Sequence, residues 1–320
     1  MPTVQTPYPT EAIWNEALAK LPQSALDLIG NTPLVHLRKI SREFPGVVIL
    51  GKLEQKNATG SVKVRPAARM VLAARAHGLL EGKTILDASS GNTAIALSFM
   101  GAVLGIPTEL VVPANCSKER KGLIKVYGAK LIESSDQLGS DGAIELARSL
   151  TAENPGKYHY TDQYSNPENP LAHEHSTAVE IWNQTAGEVT HLVAGLGTSG
   201  TLMGTTRGLK KRNPQIRSIA VMPDDGMHGF EGLKHMPTQL VPAIYDPAAH
   251  DELIEMPTEE GWAMSERLVR EEALFCGRSS GAALAAAVRI ARRLRASHQR
   301  GVIVCILPDG GERYLDEYTA

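Results

Sequence analysis

The segment GLGTSGT, residues 195–201, follows the apolar run 190–194 and precedes a helix-compatible stretch, 202–212. A strand that turns through glycines into a helix commits the chain to strand-then-helix packing. It also leaves unpaired backbone N–H groups and the positive end of the helix dipole facing one spot. That spot suits a phosphate. The loop holds no lysine or arginine, so a small phosphate monoester held by backbone and by Thr198, Ser199 and Thr201 fits better than a nucleoside triphosphate, whose loop needs GK[ST]. An ordinary glycine-rich turn is the other reading of the same residues.

The rhythm recurs along the chain. The spacing of apolar residues predicts a helix over 11–21, a turn at 29–33 into a strand at 34–37, and a second strand at 47–53. Strands at 84–86, 108–112 and 130–132 then alternate with helices at 94–104, 118–127 and 141–150. After a turn-rich stretch, 162–170, come helices at 176–185, 259–272 and 281–295 and strands at 216–222 and 302–307. Alternation of this kind predicts an α/β fold with parallel-rich sheets flanked by helices, in two lobes with a cleft between them. The 320 residues, 42% hydrophobic, suffice for a sizeable core.

Charge and cysteine usage narrow the function classes. A net charge of −2 gives no electrostatic footprint for nucleic acid or an anionic membrane. The first residues lack a basic segment followed by an apolar core, and no apolar run reaches the roughly 18 residues of a membrane span. A cytoplasmic protein is expected. Cys116, Cys276 and Cys305 are widely separated, and neither they nor the ten histidines form a metal-binding pattern.

Three further segments can carry chemistry. In KNATGSVKVRPA, residues 56–67, Lys63 sits in a small-residue turn running into a helix, where desolvation would make it a Schiff-base nucleophile; a solvated surface lysine is the alternative, and Arg65 shares it. In DASSGNTAIAL, residues 87–97, the cluster Ser89, Ser90, Gly91 and Thr93 offers a carboxylate nest, and Asn92 can donate to an anionic ring oxygen. Helix capping by Ser90 or Asn92 is the competing reading. In CGRSSGAALAAA, residues 276–287, Ser279 can hydrogen-bond a heterocyclic nitrogen or simply cap a tightly packed helix. An imine lysine, a phosphate cup, a carboxylate nest and a neutral hydroxyl for a ring nitrogen are together what pyridoxal 5'-phosphate and an amino-acid substrate need.

The motifs Asn31-Thr32-Pro33-Leu34, GSVKVRPA, SSGNTAIAL, QYSNPENP, GLGTSGT, GRSSGAALAAA and LPDGGERYL, in this order, resemble the fold-type II pyridoxal-phosphate enzymes of the cysteine synthase and cystathionine β-synthase family. The resemblance spans residues 26–315. It implies a tryptophan synthase β-like fold, with a larger cofactor-binding lobe (1–53 plus 165–320), a smaller mobile substrate lobe (54–164) and a homodimer. Lys63 then carries the cofactor as a Schiff base, Asn92 contacts its 3′ oxygen, and Gly197, Thr198, Ser199, Gly200 and Thr201 bind its phosphate. Ser279 faces the pyridine nitrogen. Ser89, Ser90, Gly91, Thr93 and, in QYSNP, Gln163 hold the substrate carboxylate.

The implied reaction is β-replacement on an activated L-serine through an aminoacrylate, giving L-cysteine or a related β-substituted alanine. A serine or threonine dehydratase, a cystathionine- or diaminopropionate-type synthase and a non-catalytic binding relative are the alternatives. Many relatives have aspartate at Val64 and glycine at Ser199. Where relatives using O-phosphoserine are expected to place an arginine, this chain has Met222-Pro223-Asp224-Asp225. Two aspartates would repel a phosphate dianion, which favours O-acetylserine unless Arg207, Arg212, Lys234 or another basic residue reaches the cleft. The segment 228–247 resembles that of cysteine synthases paired with sulfur-carrier proteins and is expected to be a mobile loop with few apolar anchors. Cys116 stands where some relatives carry methionine over the active site, and packing as a small hydrophobe is its expected role.

Overall fold

Val, Ile and Leu dominate the strands, and several read as continuous apolar runs, the mark of strands covered on both faces. The computed structural model describes residues 22–319 apart from 90 and 136–138, so the expected helix over 11–21 and Ser90 lie outside the described residues. Among the described residues, ten strands form two sheets. The larger contains β1 (Leu34–His36), β2 (Val47–Leu53), β7 (His191–Gly195), β8 (Arg217–Pro223), β9 (Glu252–Met256) and β10 (Gly301–Leu307) in the order β1-β2-β10-β7-β8-β9. Only its β1–β2 pair is antiparallel. The smaller is wholly parallel, ordered β5-β4-β3-β6, from β3 (Thr84–Ala88), β4 (Thr108–Pro113), β5 (Lys130–Ser134) and β6 (Tyr158–Tyr160).

Helices cover both faces of each sheet. Thr258–Glu272 and Arg278–Ala296 pack on one side of the larger sheet around Ile219, Ile303 and Leu284. On the other side, Thr177–Gln184 and Gly200–Lys210 enclose Leu192, Ala220 and Val304. Val64–Ala76, Asn92–Leu104 and Lys118–Val126 pack on the smaller sheet, and Gly139–Glu153 covers its opposite face.

The expected strands and helices of both sheets are present, and several elements were not anticipated, among them the short helices Arg38–Ser41 and Leu315–Thr319. β6 is only three residues long, and β9 reads ELIEM, in which acidic residues interrupt the apolar run. In the turn-rich stretch 162–170, a helix Glu168–His175 begins, with Pro170 in its first turn, where a missing N–H costs nothing.

Candidate active site

The carboxyl ends of β3, β7 and β10 line one crevice, the place where parallel α/β sheets bind ligands. The cavity there has a volume of about 660 Å³, in the range of a cofactor and small-substrate site. Lys63, Asn92, Ser199 and Ser279 all line it, although they come from four separate segments.

Among the described residues, no side chain caps these helix starts. Gly91 occupies the N-cap before Asn92–Leu104 with no side-chain bond, and Gly277 does so before Arg278–Ala296. Ser199 is itself the N-cap of Gly200–Lys210, yet its hydroxyl makes no capping bond. That hydroxyl is buried without a hydrogen-bond partner. Ser199 also holds φ +70°, the left-handed region, which explains why glycine suits this position and forms a nest of N–H groups at the helix end.

Gly197, Thr198 and Thr201 line the same end of the cavity. A Cβ on Gly197 would lie 2.2 Å from the Gly232 carbonyl oxygen, so the loop needs glycine for close backbone approach. Gly200 sits behind the cavity wall, its Cα against the Asn169 side chain. Asn169 Nδ2 donates to Thr198 Oγ1 (3.1 Å) and to the Gln163 carbonyl (2.7 Å), which orients the threonine. Thr201 Oγ1 lies 3.3 Å from His173 Nε2, and burial, then Arg65 and Lys63, drive the His173 pKa well below its usual value.

Lys63 caps the helix Val64–Ala76. The residue is half-buried and opens onto the cavity, and desolvation is the largest influence on its amine. Its pKa is lowered, with Asp309 and then Glu54 opposing the shift. Arg65, two residues on, is not a surface residue: it is 3% exposed and ion-paired with Glu54, which follows β2, and with Glu180 on the helix Thr177–Gln184.

At the nest, Ser89, Gly91 and Thr93 line the cavity. The Gly91 N–H donates to Ser89 Oγ (3.2 Å), Thr93 Oγ1 donates to Gln163 Oε1 (2.8 Å), and Gln163 Nε2 donates to the Ala88 carbonyl (3.1 Å). What remains for a carboxylate is the Ser89 hydroxyl, the N–H groups opening the helix and the second Gln163 amide hydrogen.

Residues 25–309 match the family described as pyridoxal-phosphate dependent enzyme. The chain belongs to that family. It is 49% identical over 304 residues to the cysteine synthase of Aquifex aeolicus, covering 94% of this chain and 93% of that protein. To cysteine synthase B of Pseudomonas aeruginosa it is 42% identical, covering 90% and 94%. A cysteine synthase structure from Entamoeba histolytica superposes with a TM-score of 0.88 at 36% identity, covering 100% and 95%. An O-ureido-L-serine synthase structure reaches 0.85 at 37% identity, covering 92% and 94%. The protein is thus a fold-type II pyridoxal-phosphate-dependent enzyme of the cysteine synthase type, a β-replacement enzyme.

The residues of this pyridoxal-phosphate-dependent enzyme fit the cofactor: an unpartnered hydroxyl and a nest at one end, a desolvated lysine in the wall, and Ser279, a neutral hydroxyl, at another helix start. Sequence reasoning missed Asp309, Tyr314 and Arg120, which also line the cavity. The motif LPDGGERYL was visible, yet nothing in its composition marks Asp309 as buried. Segment 228–247 is better anchored than expected: Phe230, Leu233 and Met236 are buried, and the Lys234 N–H donates to the Leu196 carbonyl (2.7 Å). The loop lies over the glycine-rich turn, where Gly195 and Gly197 leave it room. Cys116 packs against the core of the smaller sheet, away from the cavity wall.

Proposed function

We propose that the protein converts O-acetyl-L-serine and a sulfur nucleophile, sulfide in the simplest case, to L-cysteine. The observation that carries this reading is the desolvated Lys63 amine, set in one cavity with the Ser199 nest and the Ser89–Thr93 nest. The O-acetylserine sulfhydrylase isoform 3 of E. histolytica, 35% identical with a TM-score of 0.88, supports this donor.

Bound pyridoxal phosphate supplies an electron sink for charge that develops at the substrate Cα. Lys63 would anchor it and, once released, take the Cα proton; a lowered amine pKa brings the free base nearer neutral pH, as a general base requires. Ser89, Gly91, Thr93 and Gln163, with Ser90 beside them, would orient the substrate carboxylate. Gly197, Thr198, Ser199, Gly200 and Thr201 would hold the phosphate, Asn92 the ring oxygen and Ser279 the ring nitrogen. In this reading, residues 54–164 form the smaller lobe that moves over the substrate, 1–53 and 165–320 the cofactor lobe, and the enzyme is a cytoplasmic homodimer. No helix among the described residues is long and apolar enough to cross a membrane.

A second donor has its own support. Asp224 and Asp225 are exposed and do not line the cavity, so the repulsion they suggested does not operate. Arg207 and Arg212 are exposed too, but Lys234 lines the cavity, 6% exposed, with its Nζ lacking a hydrogen-bond partner and Asp141 Oδ1 3.6 Å away. A buried cation favours O-phosphoserine or another anionic leaving group. A sulfur-carrier protein as nucleophile donor rests on the segment 228–247, part of which lines the cavity.

The test is an absorbance spectrum of the purified holoenzyme and Lys63→Ala during addition of O-acetyl-L-serine and, separately, O-phospho-L-serine, with product analysis after sulfide. A visible band absent in the variant, shifted by O-acetyl-L-serine and followed by L-cysteine is the expected result. A shift by O-phospho-L-serine alone would transfer the assignment to that donor. Release of pyruvate without a sulfur product would point to a dehydratase, and a protein with no visible band would overturn the reading.

A further inference from the structure

The motif LPDGGERYL takes no part in the chemistry above, yet it lies where three walls of the cavity meet. After β10, the Val62 N–H donates to the Pro308 carbonyl (2.8 Å), and Ser61 pairs with Asp309 in an antiparallel bridge. From the other side the Gly277 N–H donates to the Asp309 carbonyl (3.0 Å), and Cys276 pairs with Gly310. The backbone at 308–310 therefore joins the loop of Lys63 to the loop of Ser279.

The Asp309 side chain reaches the third wall. Its Oδ2 accepts from Asn92 Nδ2 at 2.6 Å and from the Tyr314 hydroxyl at 2.6 Å. Asn92 opens a helix of the smaller sheet and Asp309 follows a strand of the larger, so this bond crosses between them. Asp309 is 2% exposed, and its Oδ1 is buried without a hydrogen-bond partner. Oδ1 rests against Gly277, where a Cβ would come within 2.2 Å. The glycine is needed for the carboxylate to stand there. With one Nδ2 hydrogen held by Asp309, Asn92 has its second free toward the cavity, so the aspartate decides which way the amide faces.

We infer that Asp309 is a positioning residue: held by Tyr314, it orients the Asn92 amide from across the cavity and registers the substrate nest against Lys63. The inference rests on the proposed function only in taking Asn92 and Lys63 to face the same ligand. Geometry rather than charge is the essential contribution. An asparagine at 309 can accept both hydrogen bonds through its carbonyl oxygen, whereas alanine accepts neither.

The experiment measures the dissociation constant of pyridoxal phosphate, and the donor KM and kcat of the holoenzyme, for wild type, Asp309→Asn, Asp309→Ala, Asn92→Ala and the Asp309→Ala/Asn92→Ala pair. Loss of an orienting hydrogen bond predicts roughly tenfold weaker cofactor binding in Asp309→Ala. KM should rise more than kcat falls. Asp309→Asn should stay within about threefold of wild type, and the pair should be no weaker than Asn92→Ala alone, because both changes remove one interaction. Additive losses in the pair, or wild-type binding by Asp309→Ala, would overturn the assignment, as would an Asp309→Asn as impaired as Asn92→Ala; this last comparison stands even if the alanine variant does not fold. A wild-type protein that binds no pyridoxal phosphate would instead overturn the proposed function.

Discussion

Replacing Arg65 with methionine should destabilise the protein severely, and the structure sets the size. Arg65 grips Glu54 with both arms of its fork, Nε to Oε2 at 2.7 Å and Nη2 to Oε1 at 2.9 Å. It also reaches Glu180 through Nη1 (2.6 Å) and Nη2 (2.8 Å). The side chains of Arg65 and Glu54 are 2% and 0% exposed. Lys52 Nζ, fully buried, lies 2.6 Å from Glu180 Oε2, so Glu180 keeps a cation when Arg65 is lost. Glu54 does not. It retains only the neutral donors Thr32 Oγ1 (2.7 Å) and Asn57 Nδ2 (2.8 Å). One uncompensated buried carboxylate, rather than two, predicts a loss of about 3–5 kcal/mol.

The assay is urea unfolding at pH 7 and saturating pyridoxal phosphate. Its pH dependence gives a second check. Burial acts to raise the Glu180 pKa, but Arg65 and Lys52 outweigh it and hold the group down at about 2. A depressed carboxylate contributes stability fully above its unfolded pKa of about 4.3 and loses it as pH falls toward the folded value. The gap between wild type and Arg65→Met should therefore narrow between about pH 4.5 and pH 2. A loss below about 1 kcal/mol at pH 7 would refute the reasoning, since it would mean that water reaches Glu54 and screens it.

Two further outcomes follow from the cavity wall. Gly197→Ala would drive a Cβ to 2.2 Å from a backbone carbonyl that no rotamer change can move, so we expect cofactor affinity to fall at least tenfold, read by titration of the cofactor-free protein. The Lys63 pKa is lowered by burial, so the folded protein disfavours its charge at every pH below the unfolded value of about 10.4. Cofactor-free Lys63→Met should accordingly unfold at higher urea than wild type at pH 7, with the advantage shrinking as pH approaches 10; an advantage that does not change with pH would show that the amine is not desolvated.

Much of the fold was legible because it repeats simple signals. Apolar runs such as GVIVCIL and SIAVMP have no polar face to offer solvent, so they had to lie inside covered parallel sheets, and glycine or serine clusters at their ends marked the loops. β6 and β9 were not legible because three residues, or an apolar run broken by glutamates, carry too little periodicity. The site residues were legible as residue types at strand-to-helix turns, since small residues there expose N–H groups whatever surrounds them. The same local view erred on Arg65 and on Asp224 and Asp225, because burial and direction are not properties of a short segment.

By itself, the sequence determined the α/β class, the strand-to-helix loops and the family of chemistry they serve, all of which depend on neighbours within a few residues. Only the tertiary structure decided that Ser61, Gly277 and Asn92 meet at Asp309, that Lys234 turns inward while Arg207 and Arg212 stay in solvent, and that Lys52, Glu54, Arg65 and Glu180 share one buried network. Those outcomes depend on strand register and on which charges the packed sheets seal from water, and contacts more than 100 residues apart leave no local trace.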